Sequence, residues 1–224
     1  MNEWARAASM LPELCSALLS GALTTIEITF FSFILATLIG AALAIVQSFP
    51  AKWPRVIIRV YVEVARGMPV LTQLFVLYFG LAQIGIKLDP IPVAILGFGI
   101  NGGAFLTEVF RAGLQSVHVG QSEAAFMLGM TRLKALRYVL LPQAMRVVLP
   151  PLANYGVGLL KETALASAVA APELSFYARN LVTKTYLSGP IYVMAAGMYI
   201  AMSFPLSRLA QHLELRLSRG RRVS

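Results

Sequence analysis

Four stretches of this chain carry no charged residue: 28–51, 67–86, 90–107 and 185–207, which are 24, 20, 18 and 23 residues long. A helix rising about 1.5 Å per residue needs roughly 20 residues to cross about 30 Å of hydrocarbon, so each stretch predicts a membrane span. A fifth apolar stretch, 147–172, is interrupted only by Lys161 and Glu162 and reads as a span with two opposite charges inside it. Pro69, Pro92 and the pair Pro150 and Pro151 mark helix starts or kinks. The pattern predicts an all-α integral membrane protein with five transmembrane helices in a single domain over residues 1–224.

Charge alternates between these spans. Lys52, Arg55 and Arg59 follow the first; Arg111, Arg132, Lys134, Arg137 and Arg146 follow the third; Arg208, Arg216, Arg219, Arg221 and Arg222 follow the fifth. These are thirteen of the nineteen Lys and Arg residues, and basic residues are retained on the cytoplasmic side of a membrane. The other connections hold Lys87 with Asp89, and Arg179 and Lys184 with Glu173. The expected topology is therefore N-terminus outside and C-terminus cytoplasmic.

Composition agrees with this pattern: 58% hydrophobic and 13% charged residues exceed the apolar content that a water-soluble core uses, so the surplus faces lipid. The net charge of +9 raises nucleic acid as a partner. A nucleic-acid groove gathers basic residues and aromatics on one surface, whereas here they are parcelled into alternate loops, so no nucleic acid is expected. The dense tail at Arg219, Arg221 and Arg222 reads as an anchor to anionic lipid. The single cysteine, Cys15, excludes an intramolecular disulfide. Pro12, Glu13 and Leu14 precede it instead of small residues, and no basic leader runs into a short apolar segment, so the first hydrophobic stretch is expected to be retained.

Between the third and fourth spans, residues 112–146 form the longest polar segment, and one of that length in so small a membrane protein has a task. Within it, Gly120 breaks the preceding chain, Ser122 is placed to cap, and Glu123 stands where a helix N-terminus favours negative charge. Gln121, Ala124 and Ala125 continue a short helix whose two alanines let another surface approach, and Gly129 ends it as a residue of positive φ. A second helix is predicted over residues 133–141, closed by Pro142.

The order Glu123-Ala124-Ala125, three residues, Gly129, nine residues, Val139, one residue, Leu141-Pro142 is similar to the EAA loop of bacterial ABC import permeases. The resemblance covers almost the whole chain. Tyr61-Val62-Glu63-Val64-Ala65-Arg66-Gly67-Met68-Pro69, Glu108-Val109-Phe110-Arg111-Ala112-Gly113, Leu141-Pro142-Gln143-Ala144 and Lys161-Glu162-Thr163-Ala164-Leu165 resemble the subfamily for polar amino acids and opines. It implies a type I ABC importer permease fold in the bacterial inner membrane, with residues 112–146 as the coupling loop. Gly120, Gln121, Glu123, Ala124, Ala125 and Gly129 would then meet a groove of a cytoplasmic ABC ATPase dimer. A second permease copy or paralogue and an extracytoplasmic solute-binding protein complete the implied assembly. No segment reads Gly, four residues, Gly-Lys-Ser/Thr, so ATP and magnesium belong to the ATPase. The chain itself is expected to bind no cofactor and to be no enzyme, and His118 and His212 lack metal-ligand spacing.

Ionisable groups at membrane depth cost roughly 2.5–3.5 kcal/mol on insertion scales, so each needs a partner or a role. Glu63 with Arg66, and Glu108 with Arg111, are spaced to form ion pairs at cytoplasmic helix ends, holding bundle and loop in register. With a helix starting near Pro151, Lys161 falls near the bilayer midplane, and Glu162 points about 100° away from it. Counting turns puts Glu162 on a face with Gly158 and Tyr155, and Lys161 on one with Val157 and Asn154. A zwitterionic solute brings an ammonium and a carboxylate, which makes Asn154, Tyr155, Lys161 and Glu162 the candidate substrate path. The alternative at the same positions is that Lys161 and Glu162 only satisfy neighbouring helices. Similar permeases more often carry Lys-Asp-Thr-Ser where this chain has Lys-Glu-Thr-Ala, which leaves side-chain selectivity open. Glu27, flanked by Thr24, Thr25 and Thr29, is a further candidate, and Gly102 with Gly103 predict close helix packing.

An ATP-independent secondary transporter or channel is the alternative function. It predicts inverted repeats, and only a short Glu-Val-x-Arg echo at Glu63 and Glu108 is present. A membrane enzyme needs a nucleophile with its base, or a metal cluster, and two histidines and one cysteine supply neither.

Overall fold

The structure, a computed structural model, describes residues 3–218, among which there is no strand. A short helix α1 (Glu3–Ser9) leads into α2 (Leu11–Ser48), whose 38 residues begin well before the predicted start at 28. The helix continues through Glu13 and Glu27 because both lie on its exposed side. A buried stripe at three- and four-residue steps, through Leu14, Leu18, Gly21, Thr25, Ile28 and Ser32, holds the other.

The second predicted span, 67–86, is one arm of an elbow. Lys52, Arg55 and Arg59, expected in a loop, lie on α3 (Lys52–Gly67). The chain then turns by 103° into α4 (Val70–Phe75), a π-helical turn (Val76–Gly80) and α5 (Leu81–Gln83). Pro69 forces the break: the residue before a proline is pushed out of the helical region, and Met68 is extended at φ −107° and ψ 139°. The carbonyls freed there need donors inside the bundle. Gln73 Nε2 donates to Ala65 O at 2.6 Å and to Met68 O at 3.3 Å, and Asn101 Nδ2 donates to Ala65 O at 3.1 Å. Gln73→Leu leaves Met68 O without its donor, and the expected cost is about 1–3 kcal/mol. Unfolding of the detergent-solubilised protein checks it; an unchanged midpoint would show that the elbow does not need this side chain.

Helix α6 (Pro90–Gln115) opens on a proline in its first turn and runs parallel to α2. Leu35 meets Gly99, Ile39 meets Gly103 and Leu106 meets Gly40, so a knob on either helix enters a glycine notch on the other. The expectation of close packing at Gly102 and Gly103 is thus realised against α2 and, through Tyr61 and Tyr155, against two further helices.

Beyond α6 lie α7 (Val119–Met127), α8 (Arg132–Ala135), a π-helical turn (Leu136–Leu140) and α9 (Leu141–Glu162). Pro142 does not close the second loop helix as predicted. It sits in the first turn of α9, and the wider turn before it, in which Leu141 N bonds Leu136 O, makes room for the ring. Pro150 and Pro151 likewise lie inside α9, not at its start. The fourth predicted span is therefore two pieces, α9 and a 3-10 helix (Thr163–Val169) that ends at Ala170 with φ 61°.

A helix that the apolar pattern gave no sign of, α10 (Leu174–Thr185), precedes α11 (Ser188–Ser218). The wholly buried Glu173 anchors it: its carboxylate accepts from Ser175 N at 2.9 Å, Phe176 N at 2.8 Å and Tyr199 Oη of α11 at 2.7 Å. Leu174 N donates to Thr25 Oγ1 of α2 at 3.2 Å, so three helices meet at one cap. Among the described residues, α2, α6 and α11 are long and apolar enough to cross a membrane, and the elbow makes a fourth if its arms count as one span. Helix α9, which carries Arg146, Lys161 and Glu162, runs beside them antiparallel to α6, with Val148 against Gly113 and Tyr155 against Gly102. The predicted tail anchor at Arg219, Arg221 and Arg222 lies outside the described residues.

Candidate functional site

The segment predicted to couple is largely exposed. Helix α7 starts at Val119, four residues earlier than a Ser122 cap would place it, because His118 is the cap. His118 Nδ1 accepts from Gly120 N at 3.1 Å, while Ser122 Oγ turns back to Val119 O at 2.7 Å. Gly120 is therefore inside the helix, and His118, noted in the sequence only for lacking metal-ligand spacing, caps it.

The other end matches the sequence expectation. Gly129 takes φ +73°, with Gly129 N bonded to Phe126 O at 2.9 Å and Met130 N to Ala125 O at 3.1 Å. This paired arrangement satisfies the last carbonyls and stiffens the stop. Ala125 is buried and Gln121 is tied to α9 through Gln143 Nε2 at 3.2 Å, whereas Glu123 and Ala124 face outward. Met127 is 90% exposed and Leu128 79% exposed, two apolar contributors that helix pattern alone did not single out.

The candidate path residues differ in exposure. Tyr155 is partly buried, its ring stacked between Phe33 at 6.3 Å and Phe105 at 5.5 Å, with its hydroxyl in the Gly102 notch. It is a core residue joining α2, α6 and α9. Asn154, Lys161 and Glu162 are exposed on the chain's surface. Lys161 and Glu162 close the last turn of α9 instead of sitting ten residues into a helix that begins at Pro151. Glu27 is exposed too, and its flanking threonines bond backbone: Thr24 to Ser20 O and Thr29 to Thr25 O.

Of the two predicted ion pairs, one forms. Arg111 Nε donates to Glu108 Oε2 at 3.1 Å, and Arg111 Nη1 to Gln115 Oε1 at 2.8 Å. Glu63 and Arg66 do not pair, although their spacing allows it. Both are exposed, and an exposed pair gains too little to hold two long side chains together. They point instead, with Arg55, Arg59, Glu108 and Arg111, into a cavity of about 730 Å³ between α2, α3 and α6. No cluster of three or more His, Cys, Asp or Glu with metal-ligand geometry occurs among the described residues.

Long apolar helices packed through glycine notches, a broken helix with internally satisfied carbonyls, and a stiff exposed nub at one end define a helical membrane permease. The chain belongs to the family described as "Binding-protein-dependent transport system inner membrane component", which it matches over residues 36–219. It is 38% identical over 200 residues to the L-cystine transport system permease protein TcyB of Bacillus subtilis (strain 168), covering 87% of this chain and 84% of that protein. The probable glutamine ABC transporter permease protein GlnP of the same organism is 36% identical over 200 residues, covering 88% and 91%. Among solved structures, an amino acid ABC transporter crystallised with histidines superposes with a TM-score of 0.86 at 34% identity, covering 93% of this chain and 97% of that one. The chain is thus a permease subunit of an ABC transporter; ATP hydrolysis belongs to a separate subunit, and a solute-binding protein is the family's other partner.

Proposed function

We propose that this chain crosses the bacterial inner membrane five times, N-terminus outside and C-terminus cytoplasmic, and imports a polar or charged amino acid or an opine. In this reading α3–α5 is one bent pass and α9 with its 3-10 extension another, joined to α2, α6 and α11. Two permease chains, identical or paralogous, receive the solute from the binding protein, and a dimer of ABC ATPases drives them. The observation that carries the reading is α7: a short, stiff helix on the side where basic residues gather, exposing Met127, Leu128 and Glu123 beside a rigid stop. Such a helix passes on a rigid-body displacement that a flexible loop would absorb. The amino-acid substrate is supported by relatives named for cystine and glutamine, and by the neighbour crystallised with histidines.

Within this reading Asn154, Lys161 and Glu162, exposed on α9, line the path between the two permease chains. Glu162 takes the ammonium of the solute. Glu162→Gln in a normally assembled transporter is expected to lower ATP-driven uptake about tenfold, the loss of one hydrogen bond to a charged group. Radiolabelled amino-acid uptake into proteoliposomes measures it, and an unaltered rate and substrate profile would leave Lys161 and Glu162 only a packing role.

A further inference from the structure

Helix α3 divides its surface three ways. Ile58, Val62 and Ala65 are buried against α2 and α6, and Trp53, Val56, Ile57, Val60 and Val64 are exposed and apolar, as lipid requires. Arg55, Arg59, Glu63 and Arg66 recur at four- and three-residue steps and so make a third, charged stripe. Its head groups enter the 730 Å³ cavity, where Glu108 and Arg111 join them, giving four guanidinium groups against two carboxylates. Arg55 Nε is engaged by Gln47 O at 3.1 Å and Arg111 by Glu108, but among the described residues no opposite charge lies within 4 Å of Arg59, Arg66 or Glu63. Charged groups gathered in a cavity without a partner need water or an ionic ligand.

We infer that this cavity is a cytoplasm-facing station for a free amino-acid zwitterion, with its carboxylate on Arg59 and Arg66 and its ammonium on Glu63. The inference rests on the amino-acid importer reading and adds to it a second station, away from α9. The lining decides between ligands. A lipid needs a groove for its acyl chains, and the apolar lining here is only Ala44, Val62 and Leu114. A purely anionic ligand has no use for two carboxylates, whereas a zwitterion meets both signs, and planar guanidinium forks suit a carboxylate.

The test places one thiol in the cavity. Ser48 lines it, and Ser48→Cys in a Cys15→Ser chain is nearly isosteric and leaves a single cysteine. The complete transporter is held in inside-out vesicles and labelled with membrane-impermeant methanethiosulfonates bearing either a sulfonate or a trimethylammonium head. The net positive cavity is expected to favour the sulfonate about tenfold after correction for intrinsic rates, since local potentials reach several kT. Arg59→Gln with Arg66→Gln is expected to abolish most of that preference. Saturating glutamine, histidine or glutamate slows labelling, and ethanolamine, which lacks the carboxylate, does not. Equal rates for both reagents with no protection by any amino acid would overturn the site. Labelling that emerges only after delipidation, or spontaneous cross-linking of two Ser48→Cys chains, would overturn it too, by showing a lipid or a second copy as the occupant. Uptake by the Cys15→Ser carrier separates the two readings. Lost selectivity with uptake intact removes this site alone; selective, amino-acid-protected labelling with no ATP-driven uptake of any amino acid counts against the importer reading alone.

Discussion

Gly40→Ala destabilises the folded chain by about 1–3 kcal/mol, the cost of forcing an extra methyl into a filled interior. The added carbon would lie 2.6 Å from Leu106 Cβ, 2.9 Å from the Leu106 carbonyl carbon and 3.0 Å from Thr107 N. Two of those atoms are backbone, so no rotamer change relieves the clash and α2 must move away from α6. At Gly97 the nearest atom is the tip of the Leu74 side chain, which can rotate, so the same substitution there costs less. Gly197→Ala in α11 is the control, because nothing lies within 4 Å of the new methyl. In a helix interior alanine is favoured over glycine by up to about 1 kcal/mol, so this variant is expected to match or exceed the parent. Thermal midpoints of the detergent-solubilised proteins measure both. Equal midpoints for Gly40→Ala and the parent would mean that the glycine-notched seam between α2 and α6 is not packed as described.

That seam also shows what the sequence made legible. An uncharged run opening on Pro90 identified α6 from its first residue, and adjacent glycines in it announced a close neighbour, though not which one. Charge was a poorer guide to helix ends. Glu13 and Glu27 cut the first apolar run short, yet a carboxylate on the exposed side of a helix interrupts nothing, and α2 passes through both. Apolar length carries no direction, so Pro69 was recognised as a helix start while the 103° turn before it was invisible. Glu173 was read only as one charge in an outer connection. Pro172 before it and Leu174 after it were the available signs of a capped start, and negative charge is favoured there.

In the candidate site, the stop of α7 was readable, whereas its cap and long-range placement were not. Gly129 was identified correctly because positive φ is a property of the residue and its turn. Counting turns fixed the direction of Tyr155 on its own helix but said nothing of what stands opposite. The Gly102 notch and the rings of Phe33 and Phe105 draw it into the core. The helix start from which the depth of Lys161 was counted was misread for a related reason. Pro150 and Pro151 looked like a helix start, but the buried face through Ala144, Val148, Leu152 and Gly156 carries α9 across them.

Gly129→Val is expected to lower ATP-driven uptake by more than tenfold while leaving the chain inserted and abundant. Gly129 stands at φ +73°, where a side chain costs about 1–2 kcal/mol and a β-branched one is a genuine outlier. To relieve that strain the turn must open, which breaks the bonds from Gly129 N to Phe126 O and from Met130 N to Ala125 O. No neighbour lies within 4 Å of a methyl at this position, so the effect reports backbone conformation and not a clash. With the stop loosened, Met127 and Leu128 lose their fixed attitude at the tip of α7, and a displacement in the ATPase is dissipated instead of reaching α9. Gly129→Asn separates strain from mere substitution, because asparagine tolerates the left-handed region and is expected to keep most of the uptake. Uptake in proteoliposomes, together with ATPase activity measured with and without loaded binding protein, reads both variants. A valine variant that hydrolyses ATP but no longer responds to solute is the expected signature of uncoupling. Normal solute-stimulated hydrolysis and normal uptake in the valine variant would show that force enters this permease somewhere other than α7.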